Sequence, residues 1–190
     1  MQYGFVHESK NCSGCGACQA ACKDKNDSEV GENFRRITCY EHGGFIPKGQ
    51  GFVPNVHIYN ISIGCNHCAD PKCVKNCPTG AMHKDADTGL VSVNEDRCIG
   101  CGYCAMSCPY GAPQMQKKKG IMGKCDGCID LVKKGENPAC VDACPLHLLH
   151  FGDIEKLKQE YPDGIQGTTD MPSPAITNPS LLIVPHKDSV

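Results

Sequence analysis

The sequence predicts an α+β fold built from two small units, one inserted within the other, with long loops and an extended C-terminal tail. Three features predict it. Sixteen of the 17 cysteines in the 190 residues fall into four groups of four. Two of those groups, Asn11-Cys12-Ser13-Gly14-Cys15-Gly16-Ala17-Cys18 and Arg97-Cys98-Ile99-Gly100-Cys101-Gly102-Tyr103-Cys104, are near copies, which marks an internal repeat. Between the groups lie stretches whose alternation suits only short strands.

Group one is Cys12, Cys15, Cys18 and Cys22, and group two is Cys65, Cys68, Cys73 and Cys77. Group three is Cys98, Cys101, Cys104 and Cys108, and group four is Cys125, Cys128, Cys140 and Cys144. Group three runs C-x₂-C-x₂-C-x₃-C and then Pro109, the bacterial ferredoxin pattern for a [4Fe–4S] cluster. Group two is two residues longer, and group four carries an eleven-residue insertion between Cys128 and Cys140. Proline follows groups two, three and four, whereas Lys23 follows group one.

Thiolate is a soft ligand suited to iron–sulfur clusters, zinc and copper(I). Cysteines at i, i+3 and i+6 wrap three corners of a cube, and the intervening glycines let the backbone turn tightly. The fourth cysteine points elsewhere, and in two-cluster ferredoxins it ligates the other cluster. Four quartets therefore imply four [4Fe–4S] clusters in two pairs. Groups two and three lie close in sequence and form an inserted ferredoxin-like unit over residues 56–109. Groups one and four form the outer ferredoxin-like unit, residues 1–55 plus 110–152. Structural zinc sites use well-separated C-x₂-C pairs, a different pattern.

Composition removes several classes. An odd cysteine count and an N-terminus without basic and apolar signal regions disfavour a secreted disulfide scaffold. No apolar run approaches the roughly 20 residues of a membrane span. A formal net charge of −2 argues against nucleic acid as ligand. With no Trp, 21 glycines and 13 prolines, a conventional core would be thin, and bound metal would have to contribute folding energy. No catalytic acid, base, nucleophile or nucleotide-binding motif stands out. A polypeptide that binds four one-electron carriers and lacks a substrate pocket reads as a wire, non-catalytic by itself.

Along the chain, residues 18–25 and 105–107 are helix-compatible. Residues 34–40, 56–63 and 90–93 are candidate strands, the last following the turn Asp87-Thr88-Gly89. The Gly- and Pro-rich residues 41–55 read as a surface loop. Ile154, Leu157 and Tyr161 recur at helical spacing behind Asp153, a candidate N-cap. Residues 162–185 read as an extended strap, and 153–190 as a short helix and tail that dock on a partner. His67, within group two, reads as a loop residue or hydrogen-bond donor behind the ligands. Cys39 has no companion and reads as a small buried hydrophobe. Lys117-Lys118-Lys119 reads as a solvated face.

With these motifs the protein resembles the four-cluster iron–sulfur electron-transfer subunits of molybdopterin oxidoreductases, within them the anaerobic dimethyl sulfoxide reductase branch. The resemblance rests on Gln2-Tyr3-Gly4-Phe5, Cys65-Asn66-His67-Cys68 and Cys77-Pro78-Thr79-Gly80-Ala81-Met82-His83-Lys84. It continues through Cys108-Pro109-Tyr110-Gly111-Ala112-Pro113-Gln114, Lys124-Cys125-Asp126-Gly127-Cys128 and Phe151-Gly152-Asp153. It implies cluster 1 on Cys12, Cys15, Cys18 and Cys144, and cluster 2 on Cys125, Cys128, Cys140 and Cys22. Cluster 3 falls on Cys65, Cys68, Cys73 and Cys108, and cluster 4 on Cys98, Cys101, Cys104 and Cys77. Relatives with tryptophan in place of the cysteine matching Cys104 hold a three-iron cluster; Cys104 here implies four irons. The implied partners are a molybdopterin catalytic subunit and a membrane anchor that oxidises menaquinol. The implied location is peripheral on the cytoplasmic membrane, at its periplasmic face, after export with a twin-arginine-targeted partner.

Overall fold

The computed structural model describes residues 1–189. The chain opens with β1 (Tyr3–Glu8) and α1 (Ala17–Lys25), then forms a hairpin of β2 (Arg36–Lys48) and β3 (Gly51–Ile63). α2 (Lys72–Lys75), β4 (Met82–Lys84), β5 (Val91–Val93) and α3 (Tyr103–Ser107) follow. Next come β6 (Gln114–Gln116), β7 (Ile121–Gly123), α4 (Ile129–Val132) and α5 (Ala139–Asp142). β8 (Leu149–Asp153), α6 (Ile154–Glu160) and β9 (Leu181–Val184) close the chain. The mixture of short helices and small sheets is the expected α+β class.

The main sheet has the order β8-β1-β9, with β1 antiparallel to β8 and parallel to β9. All four residues of β9 are buried. Its two faces serve two cores, as the period of two in a strand requires. Leu181 and Ile183 pack with Phe5, Tyr59, Ile61 and Leu149, while Leu182 and Val184 pack with Val6, Ile154 and Leu157. The strap expected to dock on a partner is thus bound to its own chain. It also clasps the group-two loop: the amides of Ala69 and Asp70 donate to Asn178 O and Thr177 O, and Ser180 N donates to Asn66 O. Continuous apolar character suits a fully buried strand, and a strand sharing β1's ladder satisfies its backbone groups.

The loop expected at 41–55 is instead most of a two-stranded ribbon. β2 and β3 pair antiparallel from Arg36↔Ile63 to Lys48↔Gly51. Gly49 turns the ribbon at φ +63°, the left-handed region that tight hairpin turns use. Gly43 takes φ +85°, and a Cβ there would sit 1.8 Å from Asn55 O, so only glycine fits the close approach. The boundary expected between residues 55 and 56 therefore runs through a continuous hairpin. Phe45, Ile46, Phe52 and Val53 near its tip are exposed.

Cys39 lies on this ribbon and is exposed, not buried, opposite Asn60. The lysine run is a solvated face: Lys118 pairs with Glu29 at 3.1 Å and Lys119 with Glu95 at 2.8 Å. The expected helix behind Asp153 is α6, whose first amides at Glu155 and Lys156 donate to Asp153 Oδ1 at 3.0 and 3.3 Å. Among the described residues no helix is long and apolar enough to cross a membrane.

Candidate metal centres

Four short helices present the cysteines, and they do so alike. α1, α2, α3 and α5 each carry a cysteine at their second position: Cys18, Cys73, Cys104 and Cys140. Each has another four residues on, at Cys22, Cys77, Cys108 and Cys144. Cys22 lies inside α1, while Cys77, Cys108 and Cys144 follow the ends of α2, α3 and α5. One helical turn and its exit thereby offer thiols to two neighbouring sites. α1 packs against α5, and α2 against α3.

The entries to these helices come in two kinds. Gly16 and Gly102 precede α1 and α3 at φ 83° and 78°. Pro71 and Pro138 precede α2 and α5 in extended conformations. A left-handed glycine turns the compact C-x₂-C-x₂-C loop straight into its helix, whereas the longer loops arrive extended and proline supplies a helix-compatible φ. In group four the insertion folds as α4, entered from Cys128 at φ +50°.

The helix pairs gather the sulfurs into foursomes. Cys12, Cys15, Cys18 and Cys144 line one cavity. Cys77, Cys98, Cys101 and Cys104 line another. Between them, the charges of Cys125, Cys140 and Cys128 act on Cys22, and those of Cys65, Cys108 and Cys68 act on Cys73. Cys22, Cys65, Cys108 and Cys125 share one buried cluster, where the two inner foursomes meet.

These foursomes fit iron–sulfur clusters. The donors are soft thiols facing across a void. Among the described residues no three His, Cys, Asp or Glu side chains converge as around a single ion. Backbone amides already point at sulfur: Met82 N to Cys77 at 3.3 Å, Met122 N to Cys98 at 3.4 Å, Gly127 N to Cys125 at 3.4 Å and Leu148 N to Cys144 at 3.3 Å. Such bonds favour thiolate over thiol. At Cys77, burial opposes ionisation, but the amide of Met82 and the hydroxyl and amide of Thr79 outweigh it and lower the pKa. At Cys22, Cys73 and Cys68 burial wins and neighbouring sulfurs add to it, pushing Cys22 and Cys73 up to about 12 and Cys68 up to about 11. Four thiolates gather at such places only with a cation among them, so metal binding and folding are coupled.

Three buried cationic or ionisable side chains stand among the sulfurs. His67 is fully buried, and its Nδ1 accepts the Val91 amide at 2.9 Å. Burial, then Lys124, Arg35 and Lys84, holds the ring well below its ordinary pKa. The neutral ring therefore carries its proton on Nε2, 3.8 Å from Cys125 Sγ. The expectation of a donor behind the ligands holds, but toward group four and not toward His67's own group. Lys124 donates to Val91 O and to Cys125 O. Arg35 is buried over the ring of Phe5, 4.9 Å from its centroid. The sequence does not single out Arg35 or Lys124: one stands beside Arg36 at a strand edge, the other beside a cysteine.

The helix–cysteine units and their thiol-lined cavities define a protein that carries [4Fe–4S] clusters. Residues 56–154 match the 4Fe-4S dicluster domain family, and residues 9–26 a 4Fe-4S binding domain. The sequence is 51% identical over 188 residues to the B subunit of anaerobic dimethyl sulfoxide reductase from Haemophilus influenzae, covering 98% of this protein and 90% of that one. It is 47% identical over 188 residues to the B subunit of the Escherichia coli reductase, covering 99% and 91%. The thiosulfate reductase electron transfer subunit of Salmonella typhi is 38% identical over 156 residues, covering 82% and 78%. The protein belongs to the family of iron–sulfur electron-transfer subunits typified by the B subunit of anaerobic dimethyl sulfoxide reductase.

Proposed function

We propose that this protein relays electrons through four [4Fe–4S] clusters, from a quinol-oxidising membrane anchor to a molybdopterin catalytic subunit of dimethyl sulfoxide reductase type. Cys12, Cys15, Cys18 and Cys144 hold the first cluster, and Cys125, Cys128, Cys140 and Cys22 the second. Cys65, Cys68, Cys73 and Cys108 hold the third, and Cys98, Cys101, Cys104 and Cys77 the fourth. The observation that carries this reading is the packing of α1 on α5 and of α2 on α3. It brings each i+4 cysteine beside the partner group, which crossed ligation requires.

Bound there, the clusters supply one-electron carriers; the protein supplies their order, insulation and contacts at either end. Six of the eight thiols of the two inner foursomes are buried, and Phe34 and Ala112 pack with them where they meet. At the ends, Cys15 and Cys101 are exposed. An exposed thiol at each end, and none exposed between, suit a path with an entrance and an exit. The reading has the fourth cluster facing the anchor and the first facing the catalytic subunit. High identity along nearly the whole length to the sulfoxide reductase B subunit supports dimethyl sulfoxide as the acceptor. The family resemblance supports menaquinol as the donor and the periplasmic face of the membrane, after twin-arginine export with the catalytic partner.

The test is the complex isolated anaerobically from native membranes. About sixteen irons and as many sulfides per polypeptide are expected, with a molybdenum subunit copurifying. Dimethyl sulfoxide should reoxidise the complex reduced by methyl viologen faster than thiosulfate does. Zinc without iron would overturn the cluster reading. Faster turnover with thiosulfate would overturn the acceptor alone.

A further inference from the structure

A guanidinium is rarely buried alone, because removing its water costs several kcal/mol unless a counter-charge is near. Arg35 is 2% exposed. Among the described residues it forms no ion pair with a carboxylate. Its Nη1 donates to Ser62 O and Ser62 Oγ, each at 3.2 Å, while its Nε has no partner. The two imidazoles nearby bring no charge either. His7 Nδ1 accepts the Ser62 amide, and burial first, then Arg35, lowers its pKa to about 3.

What surrounds Arg35 is sulfur. Cys140, Cys125, Cys18 and Cys22 all lie near it. Ser62 Oγ, which accepts from Arg35, lies 3.2 Å from Cys18 Sγ. Gly64 leaves the remaining room: a Cβ there would be 3.6 Å from both Arg35 Nη2 and Cys125 Sγ. Arg35 therefore stands between the two foursomes of the outer pair, facing Cys125 across Gly64 and reaching Cys18 through Ser62. Comparable contacts to the thiols lining the Cys98–Cys101–Cys104–Cys77 cavity are absent among the described residues.

We infer that Arg35 is the fixed counter-cation shared by the first and second cluster sites, and that it raises the reduction potential of both. The inference rests on the ligand sets proposed above. Each electron taken up at either site adds one negative charge. A buried guanidinium stabilises that charge more strongly than a solvated one, because little water intervenes. Uptake at one site also draws on the same cation as uptake at the other. Arg35 thereby couples the two sites of the outer pair, and it acts as a positioning residue rather than a ligand.

The experiment is a potentiometric titration of the complex with dithionite and mediators, followed by electron paramagnetic resonance, with iron counted in every sample. Iron and four signals in the unsubstituted complex are the condition on the cluster reading; their absence refutes that reading before Arg35 is touched. Arg35→Gln is expected to lower two midpoint potentials and leave two unmoved, and Arg35→Lys to keep all four near their original values. Four unmoved potentials in an Arg35→Gln complex that retains its iron would overturn the inference. Equal shifts in the Gln and Lys variants would overturn it as well, since charge would then not be the cause. Should the Gln variant lose iron, Ser62→Ala carries the test. It keeps the cation but removes the hydroxyl beside Cys18, and a downward shift of one signal is expected. No shift would overturn the link from Arg35 to the first site.

Discussion

The loops Cys12–Cys22 and Cys98–Cys108 share a motif and even a backbone, yet leave it differently. Both turn through left-handed glycines, Gly14 and Gly16 in one and Gly100 and Gly102 in the other. Both enter a helix one residue before the third cysteine. α3 then stops at Ser107, and Cys108 is extended, with φ −88° and ψ 113°. α1 runs on to Lys25, carrying Cys22 inside the helix. The cause is one residue. Pro109 disfavours helical backbone at Cys108, whereas Lys23 imposes nothing of the kind on Cys22. The extra turn lets Lys25 reach Asp130 at 2.9 Å and tie group one to group four. Equal loops thus hold equal sets of ligands, while their exits and surroundings differ.

Ligand substitution gives the largest expected effect on this comparison. Cys104→Ser or Cys104→Trp should convert the cluster of the group-three loop, to a three-iron form, and leave the signals of groups one and four intact. Spectroscopy with iron counting checks this. Simultaneous loss of one signal from each pair would break the nesting of one unit within the other.

Lys23→Pro makes the group-one loop end as the others do. It removes a helical N–H and pushes Cys22 out of helical backbone, so a cost of about 3 kcal/mol is expected. The Lys23 Nζ bonds to Glu29 O and Glu32 O, at 2.9 and 2.8 Å, go with it. Faster cluster release in denaturant is the readout, and an unchanged rate would mean that α1's last turn contributes nothing.

A smaller difference should separate Gly100→Ala from Gly14→Ala. Both carry the cost of a left-handed alanine, about 1–2 kcal/mol. At Gly100 the new Cβ also lies 2.3 Å from backbone Gly120 O, whereas at Gly14 it meets the movable side chain of Asn60 at 2.7 Å. The Gly100 variant should therefore be weaker by about 1–3 kcal/mol in denaturant unfolding of the loaded protein. Equal losses would show that Gly120 yields as readily as Asn60.

Lys25→Ala is the smallest step. The pair with Asp130 is largely solvated, so a loss of a few tenths of a kcal/mol is expected, shrinking further in high salt. A loss above about 1 kcal/mol would make this bridge a principal tie between the two groups.

The cysteine groups, their soft-metal chemistry and the short helices that carry them are legible in the amino-acid order. These are local properties: spacing fixes which thiols a single loop can aim together and which one follows a helical turn later. Asp153 was legible as a cap for the same reason. Tertiary structure alone decided the rest. Residues 41–55 contain every signal of a loop, yet cross-strand pairing makes them a ribbon whose glycines and prolines sit at a turn and on solvent-facing edges. Cys39 is exposed because it shares with Asn60 the face of the ribbon opposite Tyr59 and Ile61, which enter the core. Leu181–Val184 is a strand because β1, at the opposite end of the sequence, offers it a ladder and two apolar faces. Arg35 and Arg36 are neighbours of one type, but Arg36 donates to Tyr110 O at the surface while Arg35 lies among thiols. Burial of a charge depends on what surrounds it in space, and no local pattern records that.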